Sequence, residues 1–113
     1  MEVQAKFKII YSDEIIRFLN TLEIKVRSKI LYNINKCKYI VDKSLFKKLG
    51  KTDIWEFRTL FNGVQYRLLA FWDTENEVLV ITTHGFVKKT QKTPAKEIKR
   101  AEEIRRKYFD TKR

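Results

Sequence analysis

Hydrophobic and polar positions alternate in two different rhythms along this chain, and the change of rhythm divides it. Residues 6–11, "KFKIIY", form a short apolar run that predicts a first strand. "SDEIIRFLN" follows, with cap-type residues at its start and apolar positions at Ile15, Ile16, Phe18 and Leu19, which predicts a short helix. Leu22, Val26, Ile30, Ile34 and Cys37 then recur at helical spacing and mark a longer amphipathic helix to about residue 38. Cys37 reads as one more small apolar residue on that face. "LFKKLG" at 45–50 leads through Gly50 into strand territory.

From residue 53 the period becomes two. "DIWEFRTLFNGVQYRLLAFWDTENEVLVITTHGF" predicts three strands, with Asn62-Gly63 as a two-residue hairpin turn and "DTENE" as the second turn. A last helix is expected from Pro94, capped by Thr93, with Ile98, Ala101, either Ile104 or Arg105, and Tyr108 at helical spacing. The predicted order is β-α-α-β-β-β-α, an α+β fold with an antiparallel sheet in a small single domain spanning residues 1–113.

The hairpin positions specific side chains. With Asn62-Gly63 in the turn, Phe61 pairs with Val64, and counting outward sets Arg58 directly opposite Arg67, Cβ atoms roughly 5 Å apart. Like charges so placed are destabilising and call for an anion between them. Trp55, Phe57, Phe61, Tyr66, Leu68, Ala70 and Trp72 fall on the opposite face, which is expected to be covered by helices, leaving the arginine face open. A four-residue second turn would set Arg67 opposite His84 and Gln65 opposite Phe86. The bland alternative is an ion pair with Glu56, which shares the arginine face.

Charge sharpens the picture. The 113 residues carry a net +11, and +7 of it lies from His84 onward, where eleven basic residues face four acidic ones. That distribution points to a polyanion as partner. No apolar run is long enough to span a membrane and the start lacks the apolar core of a signal peptide, so the expected location is the cytoplasm. One cysteine and one histidine offer no zinc ligand set, so the expected chemistry is metal-free and needs no cofactor.

"WEFR", Gly63 followed by "YR", "HGFVKKTQKTP" and a helix opening "PAKEI" appear in the order and spacing of a known group. Residues 52–109 resemble the phage-derived Gp49/HigB-like branch of the RelE/ParE toxin superfamily; the first fifty match it only in layout. The resemblance implies a type II toxin, a ribosome-dependent endoribonuclease that cuts mRNA during translation. It also implies a cognate antitoxin, often of helix-turn-helix type, as partner. By position, the family's basic sheet residues fall on Arg58 and Arg67, and its post-strand cluster on His84, Lys88, Lys89 and Lys92.

Cutting RNA without a metal requires removing the 2′-hydroxyl proton, stabilising charge on the phosphate and protonating the leaving 5′-oxygen. Arg58 and Arg67 suit the second task. His84, or Lys88 or Lys89 with its pKa lowered by neighbouring cations, could be the base. Phe86, Gln91 and Lys92 are candidate RNA contacts, Phe86 by stacking a base unless it belongs to the core. On this reading Arg67→Ala removes toxicity and leaves the fold intact. A gyrase poison of the same fold, or a non-catalytic nucleic-acid-binding protein, are the rival readings.

Overall fold

The computed structural model describes residues 7–40, 42–76, 79–89 and 92–111. Its elements are β1 (Lys8–Ile10), α1 (Asp13–Asn20), α2 (Ile24–Cys37), β2 (Phe46–Lys48), β3 (Trp55–Phe61), β4 (Val64–Asp73), β5 (Leu79–Lys88) and α3 (Ala95–Thr111), with a 3-10 turn at Thr74–Asn76. The five strands form one sheet in the order β1-β5-β4-β3-β2, antiparallel except that β1 runs parallel to β5. The α+β class and the order of the long elements are as expected. β2 is an addition: "LFKKLG" is itself a three-residue edge strand, seated because Phe46 stacks on Phe57 with ring centroids 4.3 Å apart.

Two cores sandwich the sheet. On one face α1 packs on β5 and α2 on β3. Ile15, Leu19, Val26, Ile30, Ile34 and Cys37 close there over Phe46, Phe57, Leu68 and Ala70. Ser12 starts α1 by accepting the Ile15 amide at 3.1 Å, and its hydroxyl donates to the Thr83 carbonyl at 3.1 Å, so one side chain both caps the helix and ties it to β5. Burial pushes the Cys37 thiol up to about 11, which fits its reading as an apolar residue.

The other face is not open, as the strand pattern had suggested. α3 lies across one end of it and buries Ala101, Ile98, Ile104, Tyr108 and Phe109 against Ile54, Leu69 and Phe71. Ile104, not Arg105, therefore points to the sheet; Arg105 lies 3.8 Å from Asp53. Phe71 is fully buried, and its truncation to alanine would cost about 3–5 kcal/mol. The helix begins at Ala95, and Thr93 is turned to another use described below.

The two hairpins differ in how they obey local rules. Asn62 and Gly63 both have positive φ, 50° and 76°, the requirement of a type I′ turn, and Phe61↔Val64 through Arg58↔Arg67 pair as expected. The second connection departs from its expected register. Five residues, not four, separate the paired Asp73 and Leu79, and a bulge then sets Thr83 and His84 together opposite Leu69. The two single-residue slips add, so Arg67 faces Phe86 and Gln65 faces Lys88.

Candidate functional site

The site is built on four strands. β2 contributes Lys47, β3 Glu56 and Arg58, β4 Gln65 and Arg67, and β5 Lys88, with Lys47 paired to Glu56, Arg58 to Arg67 and Gln65 to Lys88 across the ladders. Because side chains alternate along each strand, all six emerge on one face, beyond the end that α3 covers.

Glu56 lies between the two arginines. Its Oε1 is 3.5 Å from Arg58 Nε and 3.2 Å from Arg67 Nε. Its Oε2 accepts a hydrogen bond from the Thr93 hydroxyl, which draws the segment after β5 over the carboxylate. Glu56 and Arg67 are 1% and 3% exposed, whereas Arg58 keeps 28% of its side chain in solvent. Arg67 also donates to the Tyr66 carbonyl at 3.1 Å and to Gln65 Oε1. Burial, then the neighbouring Arg58, pull its guanidinium below the usual value while Glu56 opposes both. Glu56 thus solves the problem that two facing arginines create. It leaves Arg58 as the guanidinium of the pair that reaches solvent.

Sequence reasoning noticed Glu56 only as a neutralising neighbour. Its place at the centre was signalled by spacing, since a residue two before Arg58 on one strand shares its face.

Lys88 borders this centre. Its amine is held below the ordinary lysine value, chiefly by burial and then by the charge of Arg67, with Arg58 and Lys47 acting in the same direction and Glu56 against. Lys47, Arg58, Lys88 and Lys92 border one cleft with Glu56 and Thr93 in it, and Arg58, Gln65, Lys88 and Lys89 line an adjoining one. Arg58, Arg67 and Lys88 are thus brought together, and Lys89 and Lys92 flank them. Gln91 lies outside the described residues.

Two sequence-based placements are corrected. His84 does not face Arg67: the bulge sets it opposite Leu69, 1% exposed, beside α3. Its Nδ1 lies 3.1 Å from the Thr83 hydroxyl and its Nε2 3.9 Å from Glu97 Oε1. Phe86 belongs to the core under α3, its ring 6.0 Å from the His84 ring, and does not offer a free stacking face.

Burial, with Arg100 beside it, lowers the His84 pKa to about 4, and the Glu97 carboxylate does not offset this. The imidazole is therefore buried neutral. The unfolded chain binds a proton on this histidine between its ordinary 6.5 and about 4 and the native one does not, so native stability falls as pH drops through that window. The contribution lost below it is on the order of 3 kcal/mol. The urea unfolding midpoint of the wild type should fall more steeply than that of His84→Gln as pH is lowered across that window.

The expectation for Arg67→Ala also changes. With Arg67 buried against Glu56, its removal would leave the buried carboxylate only the longer contact to Arg58 and the Thr93 hydroxyl, and would cost fold stability as well as charge. Arg58 is the residue whose loss tests chemistry alone.

A family model described as phage-derived protein Gp49-like (DUF891) matches residues 17–106, reaching well into the helical part that the motifs alone did not cover. Among solved structures, the E. coli toxin RelE, a two-arginine mutant in the free state, matches with a TM-score of 0.60 at 18% identity, over 90% of this chain and 98% of that one. The intact E. coli RelBE toxin-antitoxin complex holds a chain that matches at a TM-score of 0.52 and 16% identity, over 76% of this chain and 99% of that one. No curated protein matches the sequence. At such identities the two structures share a fold with this protein.

Proposed function

This chain belongs to the phage-derived Gp49-like family, and we propose that it is the toxin of a toxin-antitoxin pair that cuts mRNA on the translating ribosome. The observation that carries the reading is the cleft itself: an arginine pair held by a buried carboxylate, under a lysine whose amine is pushed toward its neutral form. The RelE-like fold supports it.

The roles follow from what each group can do. A phosphate entering the cleft meets Arg58 directly, and Arg67 adds its field from below, where preorganised donors stabilise charge developing on phosphorus oxygens. Lys88, with its depressed pKa, takes the proton from the 2′-hydroxyl as that oxygen attacks phosphorus. The bond to the 5′-oxygen breaks, and a protonated lysine at the rim, Lys47 or Lys92, returns a proton to the leaving oxygen. The ribosome supplies the oriented strand, and with it the proximity that a shallow cleft cannot. A +11 protein is matched by an acidic antitoxin, as RelBE is a toxin-antitoxin complex, and covering the cleft would silence it.

The test is a cell-free translation reaction on a defined mRNA with cut sites mapped by primer extension. The wild type is expected to cut translated mRNA and to leave it whole when ribosomes are omitted. Intact mRNA under continuing translation would sink the proposal and leave gyrase poisoning as the better reading. Cutting is also expected to accelerate as pH rises toward the ordinary lysine range and Lys88 loses its proton, and Lys88→Arg should be slow at every pH.

A further inference from the structure

The chemistry above leaves a second basic surface unused. Lys25, Lys29, Tyr32 and Lys36 succeed one another at four-, three- and four-residue spacing and so share one side of α2. The rotation of the helix about its axis is fixed from beneath, where buried Asn33 donates to Thr59 Oγ1 at 3.1 Å. Between this side of α2 and the β3–β4 hairpin runs a groove lined by Lys29, Tyr32 and Lys36 on the helix and by Arg58, Gln65 and Arg67 on the sheet. The last three belong to the cleft already described, so groove and cleft are continuous through Arg58.

Tyr32 is the notable member. Its side chain is on the surface, 63% exposed, and Lys29 Nζ lies 5.3 Å from the ring centroid. An aromatic ring left in water beside a cationic groove, with an ammonium against it, is an arrangement that suits stacking with a nucleobase while lysines take the adjoining phosphates. Asp42 also lines the groove, held below the usual carboxylate range by hydrogen bonds from the Ser44 side chain and amide. Its charge opposes a phosphate there and confines the backbone to the lysine-bearing side.

We infer that the RNA strand leaving the Arg58–Lys88 cleft continues into this groove, with one base stacked on Tyr32 and Lys29 and Lys36 on the phosphates beside it. The inference rests on the nuclease reading and extends it: Tyr32 becomes the residue that positions the strand and weighs which base stands near the cut. Stacking energy grows with ring area, so purines at that position are favoured over pyrimidines.

The same translation reaction tests it with different proteins. Tyr32→Ala is expected to cut roughly tenfold more slowly and to lose preference among sites, while Tyr32→Phe keeps the wild-type rate and pattern. Equal circular dichroism melts would show that the exposed substitution leaves the fold alone. Benzoylphenylalanine in place of Tyr32, in an Arg58→Ala background that does not cut, should photo-cross-link to mRNA within a few nucleotides of the wild-type cut. A Tyr32→Ala protein that cuts as fast and at the same sites as wild type overturns the inference and leaves the nuclease standing. Cross-links to ribosomal RNA alone overturn it too. A wild type that cuts nothing overturns both.

Discussion

Arg58→Ala is expected to abolish cutting of translated mRNA while moving the thermal unfolding midpoint by no more than about 4 °C. The two halves of that result have separate causes. Arg58 is the guanidinium of the pair that still reaches solvent, 28% exposed against 3% for Arg67, so it is the one a phosphate can touch. Losing a preorganised donor aimed at developing charge lowers the rate by roughly 100- to 1000-fold, which in a translation reaction reads as no cutting. Its ion pair with Glu56 is long, 3.5 Å, and partly wet, and pairs of that kind contribute about 0–1 kcal/mol. Primer extension measures the first half and a circular dichroism melt the second. A folded Arg58→Ala protein that cuts at the wild-type rate would remove the cleft from consideration.

Glu56→Ala should give the largest loss of stability of any single change at the site. Without the carboxylate, Arg67 remains buried with Arg58 facing it across the ladder and nothing between them. Breaking a buried ion pair from one side costs about 3–5 kcal/mol, which for a chain of this size lowers the midpoint by on the order of 15 °C. The Thr93 hydroxyl loses its acceptor at the same time, so the segment carrying Lys92 loses its tether to the sheet. Replacing both members, Glu56→Leu with Arg67→Met, should recover most of the stability, because an apolar pair of similar volume needs no partner. It should recover none of the cutting. If the double variant melts as low as Glu56→Ala, the ion pair is not the source of the loss.

What could be read from the sequence, and what could not, divides by the range of the interaction involved. The pairing of Arg58 with Arg67 was legible because it depends on two adjacent residues whose φ angles a type I′ turn demands, and counting does the rest. The helices were legible because Val26, Ile30 and Ile34, or Ile15 and Leu19, repeat at their own period. The position of His84 was not, since it depends on a longer connection and on a bulge, and neither has a signature in the residues that make it. α3 was placed in sequence but not in space. Its mean composition is basic, and only Ala101, Ile98 and Ile104, read together with Ile54 just before β3 and the odd-numbered Leu69 and Phe71 on β4, show that it must cover the arginine side of the sheet. Glu56 illustrates a third kind of limit. Its spacing put it on the right face, but only burial distinguishes a surface counter-ion from the centre of the site.

The Asn62-Gly63 turn carries a constraint of another kind. Tips of exposed hairpins are where protein families ordinarily gain and lose residues with little penalty. Here Arg58 and Arg67 lie three ladder steps from the tip, and they face each other only because the loop holds two residues. Lengthening it by one, with β4 keeping its own packing, would slide β3 by a residue and turn Arg58 and Glu56 into the apolar core while Phe57 and Thr59 came to the surface. Loop length at this tip is therefore tied to the arginine pair. A single-codon insertion here would take the arginine pair apart as surely as the loss of one of its members.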